Sequence, residues 1–159
     1  MIKIKIISVG KLKEKSLKEL TAEYEKRLKR YVNTEFIEIN DLPVCDNPSA
    51  SQINEVLNKE AEEIIKKINP KAYLISMCIE GKKTNSVNFS KIIFDTSMNF
   101  SEIDFVIGSS HGLSSKIKDM SNFKLSMSDM TFPHNLARLM LLEQIYRACK
   151  INSNEAYHK

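Results

Sequence analysis

Few residues in this 159-residue chain are equipped for chemistry. Histidine occurs three times, as His111, His134 and His158, and cysteine three times, as Cys45, Cys78 and Cys149. The cysteines are far apart with no C-x-x-C pair, so free thiols in a reducing cytoplasm are expected. A metal centre would have to gather the histidines from distant segments, and none is expected. Polar groups do concentrate in two loops, Gly108-Ser-Ser-His-Gly-Leu113 and Ser128-Asp-Met-Thr-Phe-Pro-His134. Each follows a strand-like apolar run, Ile103 to Ile107 and Phe123 to Met127. Open α/β sheets bind their ligands at such positions, beyond the carboxyl ends of strands. Neither loop has the G-x-x-x-x-G-K-[ST] or G-x-G-x-x-G spacing of a nucleotide cradle. A G-x-S-x-G elbow, an H-E-x-x-H pair and the deaminase zinc motif are missing too, which argues against hydrolytic and metal-assisted catalysis.

The elements that must position these loops follow from periodicity. Ile2, Ile4 and Ile6 alternate with Lys3 and Lys5, the pattern of a half-exposed strand whose lysines would guard a sheet edge. Leu17, Leu20, Tyr24, Leu28 and Tyr31 recur at helical spacing, and Phe36, Ile37 and Ile39 form a second strand. After Pro43 and Pro48, Ser49 or Ser51 is placed to cap a helix with the stripe Ile53, Val56, Leu57, Ala61, Ile64, Ile65 and Ile68. Tyr73 to Met77 reads as a strand buried on both faces, Glu80-Gly-Lys-Lys83 as a turn, and Val87 to Phe94 as a helix. Strands alternating with helices predict an α/β fold with a mostly parallel sheet, in one domain over 1–159. No apolar run reaches the roughly 18 residues of a membrane span. The net charge of +4 is compatible with an RNA partner without requiring one.

A long helix follows Pro133. Projected at about 100° per residue, Arg138 falls inside the apolar arc of Ala137, Leu141, Leu142, Ile145, Ala148 and Cys149. A buried arginine must pair or reach a polar site, so a dimer interface or a ligand pocket is expected for it. Apolar residues also occupy the opposite arc (Leu136, Leu139, Met140, Tyr146), which predicts a second subunit packed there. Glu143 and Arg147 are spaced i,i+4, and an ordinary surface ion pair would explain them. His134 at the helix start reads either as a base or as a helix-starting residue. The end, Tyr157-His-Lys159, reads as a frayed terminus.

Several segments together resemble one family. Gly108-Ser-Ser-His-Gly-Leu113, Met130-Thr-Phe-Pro-His134, Glu143-Gln-x-Tyr-Arg147 and Glu155-Ala-Tyr-His-Lys159 are similar to the RlmH family of SPOUT-class methyltransferases. Ser8-Val-Gly-Lys-Leu-Lys13 and Glu23-Tyr-Glu-Lys-Arg-Leu28 match it as well, so the resemblance covers the whole chain. It implies a deep trefoil knot over about residues 72–159, a homodimer and S-adenosylmethionine as cofactor. It also implies methylation at N3 of a pseudouridine, in helix 69 of 23S rRNA, within the assembled ribosome. Carried over, the cofactor contacts are Met77, Gly108 and the run Met127, Ser128, Asp129, Met130, Thr131 and Phe132. The Tyr-His end becomes part of the site, giving His158, Tyr157 and Arg147 as catalytic residues. His158 would orient the base or accept its proton, and Arg147 would hold a phosphate or a base oxygen. One departure is Ser109, where the family usually has a second glycine. If that position requires positive φ, serine costs about 1 kcal/mol and weakens cofactor binding. The alternative reading is a non-catalytic ribosome-binding module that keeps the fold; a small-molecule methyltransferase would need a closed apolar pocket. Lysines between residues 11 and 30 interleave with glutamates and read as a solvated helix face.

Overall fold

The alternating signals resolve into ten elements in the computed structural model, which describes residues 1–158. They run β1 (Lys3–Val9), α1 (Lys15–Leu28), β2 (Asn33–Ile39), α2 (Ala50–Lys67), β3 (Tyr73–Lys83), α3 (Ser86–Ser97), β4 (Glu102–Ile107), α4 (Ser115–Met120), β5 (Phe123–Ser126) and α5 (His134–Asn152). All pairings in the sheet are parallel, and the strand order is β2-β1-β4-β3-β5. Each β-α-β step returns the chain to the same edge, so every strand points its carboxyl end towards one rim. Helix starts are set locally. Ser49 accepts from the Gln52 amide in a reciprocal capping box, and Asn85 and Ser114 cap α3 and α4 in the same way.

Strand alternation divides the core between the two faces of the sheet. On one side Ile4, Ile6, Ile75, Ile103 and Phe105 pack with Leu28 of α1, Phe89 and Ile93 of α3, and the apolar arc of α5. On the other, Ile7, Val9, Leu74 and Val106 pack with Ala61 and Ile64 of α2 and Ile117 of α4. β4 is buried at every residue, as befits a central strand covered on both sides.

Two expectations need correction. β1 is not an edge strand: it lies between β2 and β4, and Lys5 is only 6% exposed. The register sets Lys5 opposite Asp104 and Lys3 opposite Glu102. Lys5 Nζ lies 2.8 Å from Glu102, 3.5 Å from Asp104 and 3.1 Å from the Lys67 carbonyl oxygen. Asn69 completes the cluster, its amide donating to Asp104 and its side chain to Glu102. Acidic residues 99 positions away in sequence thus convert an edge-like pattern into a buried ion cluster. Residues Glu80 to Lys83 are also not a turn. β3 continues through them with an irregularity after Met77 and pairs again with β5 at Lys82 and Lys83. Gly81 makes this possible, because a Cβ there would lie 2.7–2.8 Å from the backbone of Lys124 and Leu125.

The buried cluster is balanced only while Lys5 is present. Lys5→Met leaves Glu102 and Asp104 facing each other in the interior, which is expected to cost about 3 kcal/mol in urea unfolding near neutral pH. The deficit should shrink as pH is lowered, since protonating the carboxylates removes the uncompensated charge.

Candidate functional site

Met77, Gly108 and the segment after β5 come from distant parts of the chain, yet the sheet brings them to neighbouring strand ends. Met77 pairs with Ile107 of β4 on one side and Leu125 of β5 on the other. Gly108 and Met127 therefore begin loops that emerge beside it, and β5 ends at Ser126, one residue before the expected boundary. The second loop holds its own shape. Ser126 Oγ donates to the Ser128 carbonyl at 3.1 Å, and the Met130 amide donates to Ser128 Oγ at 3.0 Å. Asp129 is tied to Lys83 at 2.5 Å, anchoring the loop to the extension of β3. Met130 projects into solvent, 69% exposed.

The first loop is a tight reversal. Gly112 has φ +88°, and its amide donates to the Ser109 carbonyl at 2.9 Å. A Cβ at Gly108 would lie 2.2 Å from the Gly112 carbonyl oxygen, so glycine is demanded there by the loop's own backbone. Ser109 is not among the residues of positive φ, which besides glycine are Asn47 and Asn154. The strain expected of serine at this position is therefore not present. Its hydroxyl instead lies beside the buried Glu60 carboxyl of α2, and neither Ser109 Oγ nor Glu60 Oε2 has a hydrogen-bond partner.

A second constellation forms where α5 meets the chain end. Glu143 receives Arg147 through Nε at 3.1 Å and Nη2 at 2.7 Å, and Tyr157 donates to the same carboxylate oxygen at 3.2 Å. The guanidinium lies over the Tyr157 ring, 4.8 Å from its centroid. Tyr157 packs edge-on against Tyr146 at 5.0 Å, and Tyr146 against Tyr24 and Tyr31 of the α1 region. Burial pushes the Tyr157 phenol up to about 12, with Tyr24 and Glu143 adding to the shift, so it remains a donor. His158 Nδ1 is 3.5 Å from Arg147 Nη1. The ion pair suggested by the i,i+4 spacing exists, but as one edge of a larger cluster.

The tail that carries Tyr157 and His158 is docked and not frayed. Glu155 accepts from Tyr31 at 3.0 and 3.1 Å and pairs with Lys150 and Arg30. Lys159 lies outside the described residues. Beside the cluster is a cavity of about 560 Å³ walled by α3, β5 and α5, and both Met127 and His158 line it. Met77, Gly108 and residues 128–132 do not line it. The cavity also shows residues that sequence reading passed over. Ser86 donates to Gln144 at 2.7 Å, and Gln144 donates to Glu143 at 2.7 Å, so the cavity wall is wired to the Arg147 cluster. Gln144 stood within the Glu-Gln-x-Tyr-Arg segment, but Ser86 gave no signal beyond its place near a helix start. Among the described residues, no group of three or more His, Cys, Asp or Glu side chains is placed to hold a metal ion.

Arg138 sits elsewhere. It is 6% exposed, bonds Glu38 at 2.6 Å and lies over the Phe36 ring at 5.4 Å. It pairs at the β2 side, and not at the cofactor-loop strands as expected, while its Nε has no hydrogen-bond partner among the described residues. Tyr146 likewise finds its partners on α1, so the outer arc of α5 is partly covered without a second subunit. His134 starts α5 with its ring against Gly10, where a Cβ would lie 2.9 Å from Nε2.

Burial pushes the Glu60 carboxyl above the ordinary carboxylate range, and the Ser109 hydroxyl and Leu42 amide beside it offset this only in part. A carboxyl raised on folding is destabilising when ionised, so its contribution worsens as pH rises from the ordinary value through the raised one. Thermal melts should show Glu60→Gln more stable than the wild type at about pH 8, with the advantage shrinking towards about pH 5.

Comparison with known proteins identifies the family. A family model described as a predicted SPOUT methyltransferase matches residues 2–158. The ribosomal RNA large subunit methyltransferase H of Streptococcus gordonii is 46% identical over 159 residues, covering 99% of this chain and 100% of that protein. The protein of the same name from Clostridium tetani is 47% identical over 157 residues, covering 98% and 99%. A solved structure of a probable methylase family protein from Haemophilus influenzae Rd KW20 aligns with a TM-score of 0.57 at 10% identity, over 99% of this chain and 70% of that one. The last likeness concerns the fold alone. With near-complete coverage by the family model and by relatives of this identity, the chain belongs to the SPOUT methyltransferase family.

Proposed function

We propose that this chain is an S-adenosylmethionine-dependent methyltransferase that modifies N3 of a pseudouridine in large-subunit ribosomal RNA, acting on the assembled ribosome as a cytoplasmic homodimer. The observation that carries this reading is the shared cavity. Met127, from the cofactor loop, and His158, from the docked tail, line the same space, so donor and acceptor chemistry can meet there. Its volume of about 560 Å³ falls in the range of small-ligand sites. Relatives named as ribosomal RNA methyltransferases over their full length support the RNA substrate. The exposed Met130 and Leu136, flanking the start of α5, support a subunit contact. A knotted C-terminal region is in keeping with β5 pairing to β3 and α5 packing on α3 and α1.

The residues present fit the neutral adenine ring of an adenosyl donor. The loop after β5 and the turn at Gly108 offer main-chain groups at close quarters, and no fixed cation or carboxylate would be left unpaired by a neutral base. The bound donor supplies an electrophilic methyl group for in-line displacement. Met77, Gly108 and Met127 to Phe132 hold it. Arg147 is pre-set by Glu143 and the Tyr157 ring to receive an oxygen of the target base or a phosphate, with Tyr157 acting through Arg147. His158, at the cavity mouth, orients the base or takes the N3 proton. Fixing both reactants in one cavity lowers the barrier by removing the need for a chance encounter in the right geometry. A non-catalytic module is not favoured, because the strain at Ser109 that suggested it is not there.

Labelled S-adenosylmethionine should transfer its methyl group to ribosomes lacking the modification, and the label should map to one large-subunit pseudouridine. Ribosomes without that pseudouridine should accept far less. Absence of transfer with intact ribosome binding would instead indicate the binding module. Arg147→Ala and His158→Ala are each expected to slow single-turnover transfer roughly 100-fold at saturating ribosome. Ser109→Gly should leave donor affinity within about threefold by calorimetry, since no left-handed strain exists to relieve.

A further inference from the structure

A second cleft opens on the same rim of the sheet, between the β1–α1 turn and α5, with a volume of about 370 Å³. Lys11, Lys13 and Lys18 line it together with Thr21 and Arg138. Glu25 and Glu38 are also in the wall, so four cations face two carboxylates, and one of those carboxylates, Glu38, is already committed to Arg138. α1 starts here without a side-chain cap: Glu14 at the N-cap makes no capping bond, and the first turn holds no acidic residue. The free amides of that turn carry the positive end of the helix dipole. Independently, two side chains of the wall hold unused polar atoms. Arg138 is 6% exposed and Thr21 4% exposed, yet Arg138 Nε and Thr21 Oγ1 have no hydrogen-bond partner among the described residues. A buried donor left unpaired is costly, and two in one wall mark a place where an acceptor belongs.

We propose that this cleft binds a backbone phosphate of the RNA substrate. The inference rests on the proposed function and adds the surface on which the RNA lies. A phosphate suits every element of the wall: it takes N–H and O–H donors, is drawn by the lysines and is favoured at a helix N-terminus. The location suits a polynucleotide too. The cleft lies beyond the carboxyl end of β1, and the cofactor loops lie beyond those of β3, β4 and β5. α5 joins the two regions, with His134 against Gly10 and Arg138 one turn further along. RNA held in the cleft therefore runs along the rim on which methyl transfer takes place. Phosphate contacts of this kind set position and carry no sequence information.

The test is cosedimentation with ribosomes over a range of salt, which reads the cleft without requiring catalysis. Lys11→Gln/Lys13→Gln/Lys18→Gln is expected to weaken ribosome binding roughly tenfold and make its salt dependence shallower by about 1 or more in log-log slope. Donor affinity and kcat should not change. The triple Lys→Arg variant should restore binding, and Lys26→Gln/Lys29→Gln, at the far end of α1, should behave as wild type. An unchanged dissociation constant and salt slope in the triple glutamine variant would overturn the proposal, as would equal losses in the control. Lysine-dependent binding without any methyl transfer would uphold the cleft and overturn the reaction proposed above.

Discussion

The burial of α5 is the constraint on which the rest depends. Leu141, Leu142, Ile145, Ala148 and Cys149 are all 0% exposed against the sheet, and each large apolar side chain stabilises the fold by about 1.5–3 kcal/mol. Once that face is fixed, the helix has no freedom to rotate. Its N-terminus must receive the loop after β5, its outer face must present Glu143 and Arg147, and its C-terminus must release the tail beside α1. Cys149 shows how dry this seam is: burial pushes its thiol up to about 12, so it serves as a small apolar residue.

The two halves of the candidate site are built on different principles. The loop after β4 holds its shape through main-chain contacts, with Gly108 permitting a close approach and Gly112 a positive φ, and the loop after β5 is tied by Ser126, Ser128 and the Asp129–Lys83 pair. An uncharged ring read by amides and carbonyls needs such closeness more than it needs charge. The α5–tail cluster is instead made of side chains that constrain one another. Glu143 satisfies Arg147, Tyr157 and Gln144 at once, which holds the guanidinium in a set orientation while leaving Nη1 near His158. Preorganisation of this sort favours a planar, negatively polarised partner over water.

Charge is used in two ways on opposite ends of the sheet. Near the amino ends of β1 and β4, Lys5, Glu102 and Asp104 neutralise each other in the interior, a cluster that specifies register more than it adds stability. At the carboxyl ends, Lys11, Lys13 and Lys18 around the start of α1 make no ion pair among the described residues and line an open cleft. The small net charge of +4 conceals this separation, because composition averages over both ends.

Periodicity alone determined the order of elements, the parallel α/β class and the positions of the two loops at strand ends, because each of those rests on local spacing of apolar residues and on turn chemistry. The resemblance in the loop and tail segments identified the residues at issue, and family membership followed from comparison over the whole length. Tertiary structure decided what local signals could not encode. Lys3 and Lys5 look like an edge because their acidic partners lie about a hundred residues away, at Glu102 and Asp104. Glu80 to Lys83 look like a turn because the close approach of β5 at Gly81 is not visible from neighbouring residues. Arg138 pairs with Glu38 across 100 positions, and the tail at Glu155 is docked where Tyr31 and Lys150 converge on its carboxylate. Sequence spacing fixes which face a residue occupies; only the packed sheet fixes what stands opposite it.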